Sequence, residues 1–249
     1  MNAAVEAAYG PDHASIYDDL YAGRGKDYAD EAARIIAEIT TRKPDATSLL
    51  DVGCGTGNHL HYLRRRFGDV SGVEPSPAMR LVAAGRLDGI ALIDADVESL
   101  ATGRTYDSVI CMFSVIGYAR SLSAAVERLA AHLNPGGVLI VEPWLFPDRY
   151  EVGHIGNDFT RYGQRAIFRM SHSGLDGRTS VLTMNYLVGD PDGVHHFSDV
   201  HLMTLSSQVE YEQAFTAAGL TVEYQTPGFG RGLFIGVRRP PVRNACPPT

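Results

Sequence analysis

A chain of 249 residues, 45% of them hydrophobic, is long enough for one α/β domain with a well-buried core, or for such a domain with a sizeable insertion. Its formal net charge of -7 argues against a nucleic-acid partner, because nucleic-acid binding needs a basic face. No stretch approaches the roughly 20 apolar residues of a membrane span, and the three cysteines lack metal-binding spacing, so we expect a cytoplasmic protein without a metal site.

The N-terminal segment is rich in tyrosine. A tyrosine offers both an apolar ring and a hydroxyl, which suits a flap that covers ligands and excludes water. An N-terminal helix that packs through its tyrosines fits the same pattern. The next segment, residues 30–41, has apolar residues at helical spacing and predicts a helix that packs on a sheet. The tyrosines of the N-terminal segment are Tyr9, Tyr17, Tyr21 and Tyr28.

An apolar run that ends at three alternate glycines is the strongest local signal. Residues 48–52 predict a buried strand, and Gly53, Gly55 and Gly57 then allow a tight turn and a close approach to a ligand. Residues 58–67 predict a helix. The even spacing of the glycines departs from the G-x-G-x-x-G of dinucleotide sites. It resembles the first motif of S-adenosylmethionine-dependent methyltransferases, whose glycine loop passes under the methionine and ribose of the cofactor.

Two further strands end in acidic residues. The second strand, residues 70–73, is followed by Glu74, and a carboxylate at that position can accept hydrogen bonds from both ribose hydroxyls. After a short helix over residues 78–85, the third strand, residues 89–93, is followed by Asp94, Asp96 and Val97. Similarity to the methyltransferases favours Asp96 as the acceptor of the adenine amino group, with Val97 against the ring. Either aspartate could instead cap the following turn.

The fourth and fifth strands complete a parallel sheet. We predict them over residues 106–112 and 138–142, with a helix over 124–133 and a turn over 134–137 between them. Five strand and helix units with mostly apolar strands predict an α/β, doubly wound sheet that is covered on both faces. Ligands of such sheets bind at the carboxyl ends of the strands.

Beyond Pro143, apolar and polar residues alternate, which is typical of antiparallel strands with one solvent-exposed face. We predict such strands over residues 165–171, 179–188 and 194–205, with turns at Gly174, Gly177, Gly189 and Gly193. Residues 144–205 are therefore expected to form an antiparallel cap.

The chain then returns to the first sheet. Residues 208–218 predict a helix, and residues 220–224 and 233–237 predict a last antiparallel pair of strands. The methyltransferase domain would thus comprise residues 1–143 and 206–238. A proline-rich tail, residues 239–249, is expected to be disordered.

Motifs outside the glycine loop narrow the resemblance from the methyltransferase superfamily to one family within it. They resemble the N-methyltransferases of nucleotide-linked amino sugars, which make dimethylamino sugars such as desosamine and mycaminose for antibiotic pathways. This resemblance implies a class I methyltransferase with a Rossmann-like sheet that binds S-adenosylmethionine, and an antiparallel insertion that covers a TDP-sugar. The motifs include residues 25–28, 111–114, 141–144, 171–173, 211–219 and 230–234.

The resemblance also implies the site residues. A homodimer is one assembly compatible with it, and the nucleotide base, TDP or UDP, stays open. The cofactor-binding residues would be Tyr17, Tyr28, Asp51, Gly53, Gly55, Glu74, Asp96, Val97 and Met112. The substrate-binding residues would be Tyr9, Trp144, Ser171, His172 and Arg231.

Tyr118 stands where family members that methylate a 3-amine have a histidine. We therefore predict Tyr118 as the catalytic residue beside the amine, and the sugar carbon (3, 4 or 2) and the number of methyl transfers stay open. A phenol with a pKa near 10 is a poor base, so alignment is its expected role. Two alternatives stay open: an O-methyltransferase, which needs a stronger base or a metal, and a cofactor-binding scaffold without chemistry.

Overall fold

The computed structural model describes residues 9–226 and 230–239. The predicted tail beyond Arg239, and residues 227–229 of the loop before the last strand, lie outside the described residues. The described helices are α1 (Pro11–Gly23), α2 (Tyr28–Arg42), α3 (Asn58–Leu63), α4 (Pro77–Arg86), α5 (Leu122–Ala131) and α6 (Gln208–Ala217). The described strands are β1 (Ser48–Val52), β2 (Asp69–Val73), β3 (Ala91–Ile93), β4 (Tyr106–Cys111), β5 (Leu133–Val141), β6 (Ile155–Tyr162), β7 (Arg165–Asp176), β8 (Thr179–Asp190), β9 (Gly193–Thr204), β10 (Glu223–Gln225) and β11 (Leu233–Val237).

A seven-stranded sheet forms the centre of the molecule. Its strand order is β10-β11-β5-β4-β1-β2-β3. Strands β1 to β5 pair in parallel, whereas β11 is antiparallel to both β5 and β10. The five predicted parallel strands and the closing antiparallel pair are therefore confirmed.

Helices cover this sheet on both faces, because successive residues of a strand point to opposite sides. In β1, Leu49 packs in one core with Ile35 and Ile39 of α2. The neighbouring Leu50 packs in the other core, which includes Leu129 of α5 and residues of α6. All five residues of β1 are buried, as expected for a central parallel strand.

The second sheet is an antiparallel meander in the order β6-β7-β8-β9. Strand β6 was not predicted, because it contains several polar residues and its exposed and half-buried positions do not separate into polar and apolar residues. The placement of Gly174 and Gly189 at turns was wrong, since both lie within strands. Gly177 does lie at the turn between β7 and β8, with a positive φ angle of 58°, and Gly193, with a φ of 144°, is the first residue of β9 after the next turn.

Several predicted boundaries also change. Helix α3 ends at Leu63, and residues 64–66 continue as turns rather than as a helix to residue 67. Strand β5 begins at Leu133 and includes the predicted turn over residues 134–137, next to a register shift in its pairing with β4. Strand β10 is shorter than predicted and begins at Glu223.

Helix α1 lies between the two sheets. Its Ile16 and Leu20 pack against Tyr186 of β8 and neighbouring residues of the second sheet. On the other side, Asp18 accepts hydrogen bonds from Thr56 (2.7 Å) and Asn58 (2.8 Å) of the glycine loop and α3. Within the described residues, the N-terminal segment therefore forms a helix that joins the second sheet to the first. None of the helices in the described ranges combines the length and apolar content needed to cross a membrane.

Candidate active site

Two adjoining cavities lie between the carboxyl ends of the parallel strands and the second sheet. The larger has a volume of about 570 Å³ and the smaller about 60 Å³. Tyr9, Phe113 and Tyr118 line both cavities. A group transferred between ligands in the two cavities must therefore pass these three residues.

The smaller cavity is built on the glycine loop. Gly53 lines it with φ +78°, a conformation that side chains rarely adopt. A Cβ atom at Gly53 would lie 2.4 Å from Val115 Cγ2, so only glycine fits the loop against the residues after β4. Six of the predicted cofactor residues line this cavity: Tyr17, Gly53, Gly55, Glu74, Asp96 and Val97.

Glu74 is a buried carboxylate at the end of β2. Its Oε2 accepts a hydrogen bond from the amide of Gly55 (3.0 Å), and its Oε1 accepts one from the amide of Ser76 (2.9 Å). Burial raises the pKa of Glu74 to about 7, while these two hydrogen bonds act in the opposite direction. The ionised form would therefore gain from further hydrogen-bond donors, such as ribose hydroxyls.

Asp96 combines the two roles that the sequence leaves open. Its Oδ1 accepts hydrogen bonds from the amides of Glu98 (3.0 Å) and Ser99 (2.7 Å), which caps the turn. The same residue lines the smaller cavity beside Val97. Asp94, by contrast, is exposed and pairs with Arg80 at 2.8 Å.

Three predicted cofactor residues do not line either cavity. Met112 is buried in the core beneath the sheet end. Asp51 and Tyr28 are close to His59, and Asp51 Oδ2 and Tyr28 Oη are buried without hydrogen-bond partners among the described residues. Burial raises the pKa of Asp51 to about 6. Such unpaired polar atoms are costly in a folded protein and indicate a place for a polar ligand group.

The larger cavity has a strongly positive wall. Arg24, Lys26, Arg169 and Arg231 line it, whereas no carboxylate does so among the described residues. Their acidic partners lie behind them, as Lys26 with Glu31 at 2.6 Å illustrates. The Nε atom of Arg169 is buried and has no acceptor among the described residues. This wall is suited to an anion with several oxygen atoms.

Trp144 and Arg231 form a stacked pair in this wall. The Arg231 guanidinium lies 4.8 Å from the centre of the Trp144 ring, and Trp144 Nε1 donates to Ser180 Oγ at 3.0 Å. Arg231 also lies 3.9 Å from the buried carboxylate of Glu142. Burial raises the pKa of Glu142, and the charge of Arg231 acts against this shift. The stack and the carboxylate together set the direction of the guanidinium.

The alternation of β7 separates the two adjacent residues predicted for substrate binding. Ser171 lines the larger cavity together with Arg169, two residues earlier. His172 is exposed on the opposite face of the sheet, opposite Thr183 of β8. The structure therefore brings Tyr9, Trp144, Ser171 and Arg231 to the site and leaves His172 outside it.

Tyr118 lies at the junction of the cavities within a chain of polar rings. Its hydroxyl hydrogen-bonds to Tyr9 Oη (3.1 Å) and to His201 Nδ1 (2.5 Å). Burial raises the pKa of Tyr118, which makes its phenolate still less available as a base. Behind this pair, His13 hydrogen-bonds to Asp199. One potential ligand atom from each of His13, Asp199 and His201 lies within 4.8 Å of the other two, so the three side chains form a compact buried group.

Several of these residues were not predicted from the sequence. Arg169 lies two residues from the predicted Ser171 on β7, so strand alternation could have indicated it, whereas no predicted site residue lies on β9 beside His201. Phe113 has a positive φ of 53°, and its amide donates to Glu142 at 2.7 Å. Strained non-glycine residues of this kind cluster at functional sites, but no local sequence signal reveals them.

Comparison with known proteins agrees with this geometry. The family model described as "Methyltransferase domain" matches residues 24–225. The dTDP-3-amino-3,4,6-trideoxy-alpha-D-glucopyranose N,N-dimethyltransferase of Streptomyces venezuelae is 48% identical, over 92% of this chain and 99% of that protein. The dTDP-4-amino-2,3,4,6-tetradeoxy-D-glucose N,N-dimethyltransferase of Saccharopolyspora spinosa is 40% identical, over 95% of this chain and 96% of that protein.

A solved structure leads to the same family. The structure of S-adenosylmethionine-bound CalS10, an amino pentose methyltransferase from Micromonospora echinaspora involved in calicheamicin biosynthesis, superposes with a TM-score of 0.82. It is 42% identical and covers 90% of this chain and 96% of its own. The chain therefore belongs to the family of S-adenosylmethionine-dependent N,N-dimethyltransferases of dTDP-linked amino sugars.

Proposed function

We propose that the protein transfers methyl groups from S-adenosylmethionine to the amino group of a TDP-linked deoxyamino sugar and forms the N,N-dimethylamino product. The observation that carries this proposal is the pairing of the two cavities. A glycine-loop pocket with Glu74 and Asp96 adjoins a larger cavity with four cationic side chains, and Tyr118 lines both. A nucleoside diphosphate supplies the negative charge that complements those cations.

The residues around the glycine loop fit the cofactor. Glu74 would accept the ribose hydroxyls, and Asp96 with Val97 would contact the adenine. The unpartnered polar atoms of Asp51 and Tyr28 would face the charged amino-acid end. Gly55 completes the predicted set along the loop, and Met112 supports it from the core.

The chain's contribution to the reaction is alignment and exclusion of water. Bound S-adenosylmethionine supplies a methyl group on a sulfonium, which an unprotonated amine can attack without a metal. Tyr9, Tyr17 and Phe113 surround the junction with aromatic rings and keep water away from it. Holding two reactants in line contributes as much as roughly 7 to 11 kcal/mol to lowering the barrier.

The second sheet would serve as the substrate cap. In this proposal residues 144–205 cover the nucleotide-sugar, and residues 1–143 with 206–238 bind the cofactor. Three residues of this segment line the larger cavity: Trp144, Arg169 and Ser171. Arg231 reaches the same cavity from the loop before β11.

A panel of TDP- and UDP-linked amino sugars tests the proposal. The parent protein should convert one or more of them to the dimethylated sugar, with two S-adenosylhomocysteine molecules formed for each sugar. Including both 3-amino and 4-amino sugars identifies the reacting carbon. Methylation of a hydroxyl analogue at a comparable rate would favour the O-methyltransferase alternative, and no product with any sugar would favour the scaffold.

Tyr118→Phe should reduce kcat by about tenfold, because a positioning hydroxyl contributes less than an essential acid or base, whose loss costs roughly 10² to 10⁴. Steady-state kinetics at saturating cofactor would measure the change. Tyr62→Phe on α3, outside both cavities, is the control. A loss above about a thousandfold with the fold preserved would show that the hydroxyl itself transfers the proton.

A homodimer through the outer face of the cap is the second part of the proposal. This face carries exposed Phe168, Met170, Leu187 and Val200 on three adjacent strands, where an antiparallel sheet facing water would be polar. In light scattering the parent should have twice its 27.0 kDa mass, and Leu187→Glu should be monomeric. Leu81→Glu, on the exposed side of α4, should leave the mass unchanged; a monomeric parent would refute the dimer.

We also propose a cytoplasmic location. Cys54 and Cys111 are buried free thiols, as expected in a reducing compartment. Secretion of the protein from its native host in active form would contradict this location.

A further inference from the structure

A chain of hydrogen bonds leads from the larger cavity to the helix that follows the glycine loop. Lys26 lines the larger cavity, and its Nζ donates to Oε1 and Oε2 of Glu31 at 2.6 and 2.9 Å. His59 of α3 donates from Nε2 to Oε2 of the same carboxylate at 2.7 Å. The side chains of Lys26, Glu31 and His59 are 12%, 19% and 9% exposed, so the chain is largely buried. The function proposed above gives Glu31 and His59 no part.

Glu31 is ionised within this chain. Burial by itself would raise the pKa of Glu31, but its hydrogen bonds with His59 and Lys26 outweigh burial and lower that pKa. Hydrogen bonds to an ionised acceptor are short and strong, so the carboxylate holds both donors in defined directions. Glu31 therefore sets the direction of the Lys26 side chain, although it lines neither cavity itself.

The far end of the chain reaches the residues assigned above to the amino-acid end of the cofactor. The His59 ring packs edge-on against Tyr28, with 5.0 Å between the ring centres. Burial raises the pKa of Asp51 to about 6, and His59 is near enough to act against that shift. Tyr28 Oη and Asp51 Oδ2 are buried without hydrogen-bond partners among the described residues. A cofactor that bonds to these atoms would therefore restrict the groups that surround His59.

Lys26 also contacts two aromatic rings directly. Its Nζ lies 5.1 Å from the ring centre of Tyr28 and 4.2 Å from that of Phe113, within the range of cation–π attraction. Phe113 lines both cavities. The ammonium group of Lys26 is thus held by one carboxylate and two rings, and both rings connect it to the cofactor side of the site.

The backbone at Lys26 is anchored, whereas its side chain depends on these partners. The Lys26 amide donates to the carbonyl of Tyr21 at 3.0 Å, and Asp27 caps α2 by accepting from two amides. The preceding Gly25 has a φ of +77°, and no described atom lies within 4 Å of the place its Cβ would take. The flexible aliphatic stem of a lysine loses conformational entropy when its ammonium is held in one place.

We propose that Lys26 binds the diphosphate of the nucleotide-sugar, and that Glu31 and His59 are positioning residues that strengthen this contact when the cofactor is bound. The proposal rests on the N-methyltransferase function proposed above. A cofactor bonded to Tyr28 restricts that ring and His59, and through them Lys26, before the sugar binds. The second ligand then loses less conformational entropy, which is positive coupling between the two cavities. Because coupling is reciprocal, the nucleotide must raise the affinity for the cofactor by the same factor.

Calorimetric titration of TDP with and without saturating S-adenosylhomocysteine measures this coupling. The parent should bind TDP about tenfold more tightly when S-adenosylhomocysteine is bound. Lys26→Met keeps the packing of the aliphatic stem but removes the ammonium. It should weaken TDP binding by about tenfold with S-adenosylhomocysteine and by less than about threefold without it. Glu31→Gln, outside both cavities, should also reduce the ratio of the two affinities to below about threefold, because Lys26 loses its ionised partner.

The chain offers a matched control for each variant. Lys43, just after α2, is 14% exposed and pairs with Asp45 at 3.1 Å, but it lines neither cavity. Glu38 lies on α2, as Glu31 does, and pairs with Arg42. Lys43→Met and Glu38→Gln should therefore keep the parent ratio of TDP affinities.

The outcomes separate this inference from the function. Equal weakening of TDP binding with and without S-adenosylhomocysteine in Lys26→Met would make the lysine an ordinary phosphate contact and overturn the inference. A parent ratio near one, or a parent-like ratio in Glu31→Gln, would overturn it as well. An active parent without coupling contradicts the inference alone, whereas a parent inactive on every amino sugar contradicts the function and the inference with it. Thermal midpoints check that the variants fold, and either variant tests the coupling if the other does not.

Discussion

Replacing Arg231 with alanine should raise the KM for the nucleotide-sugar by about 10- to 100-fold, equivalent to about 1.4 to 2.7 kcal/mol. A guanidinium can donate two parallel hydrogen bonds to a pyrophosphate, which an ammonium cannot, so Arg231→Lys should restore only part of the loss. The stack on Trp144 and the nearby carboxylate of Glu142 direct Arg231 before any substrate binds. Cofactor affinity should change little, because Arg231 lines only the larger cavity.

Arg149→Ala provides the matched control for this prediction. Arg149 also lies over an aromatic ring, 5.7 Å from the centre of Phe146, but it is exposed and lines neither cavity. Initial rates over a range of sugar concentrations, together with calorimetric binding of TDP, would measure both variants. Parent-like affinity of Arg231→Ala for TDP would show that the arginine does not bind the pyrophosphate.

Glu74→Ala should weaken S-adenosylhomocysteine binding by about 10- to 150-fold, because hydrogen bonds to a charged group contribute about 1.5 to 3 kcal/mol. The thermal midpoint should change far less than the affinity, since the amides of Gly55 and Ser76 become accessible to water in the variant. Asp94→Ala, at the end of the next strand and exposed, should bind the cofactor as the parent does. Unchanged affinity in Glu74→Ala would rule out its contact with the ribose.

The same carboxylate makes binding depend on pH. Burial raises the pKa of Glu74 to about 7, because it disfavours the charged form of this carboxylate in the free protein. The stability of the free protein therefore decreases as the pH rises from about 4.5 to 7. Ribose hydroxyls favour that charged form, so the parent's affinity should fall by up to about tenfold per pH unit below 7 and be level above it. Titrations at pH 6, 7 and 8 would measure this slope. Glu74→Ala should retain only the weaker dependence due to Asp51, whose pKa is about 6.

Local chain order was enough to predict five residues that line the smaller cavity. These residues lie within about four positions after a strand of the parallel sheet, and such strands end at one edge: Gly53, Gly55, Glu74, Asp96 and Val97. The spacing of apolar residues and the turn-forming residues after each strand therefore predicted that these residues lie together, without any knowledge of long-range contacts. The second, antiparallel sheet was also predicted from a local pattern, the alternation of apolar and polar residues along its strands, although β6 was too polar to detect.

The polar cluster of the larger cavity depends on contacts that no local pattern encodes. His13 and Asp199 are 186 residues apart, and they meet because α1 packs its apolar residues against the second sheet. Strand alternation then decided which neighbour faces the cavity, so that Ser171 lines it and His172 does not. The sequence by itself thus determined the class of enzyme, through its resemblance to a known family, and five residues of the smaller cavity, because these lie close to strand ends. Only the tertiary structure decided which cations and histidines line the larger cavity, because burial between two sheets, rather than the neighbouring residues in the sequence, selects them.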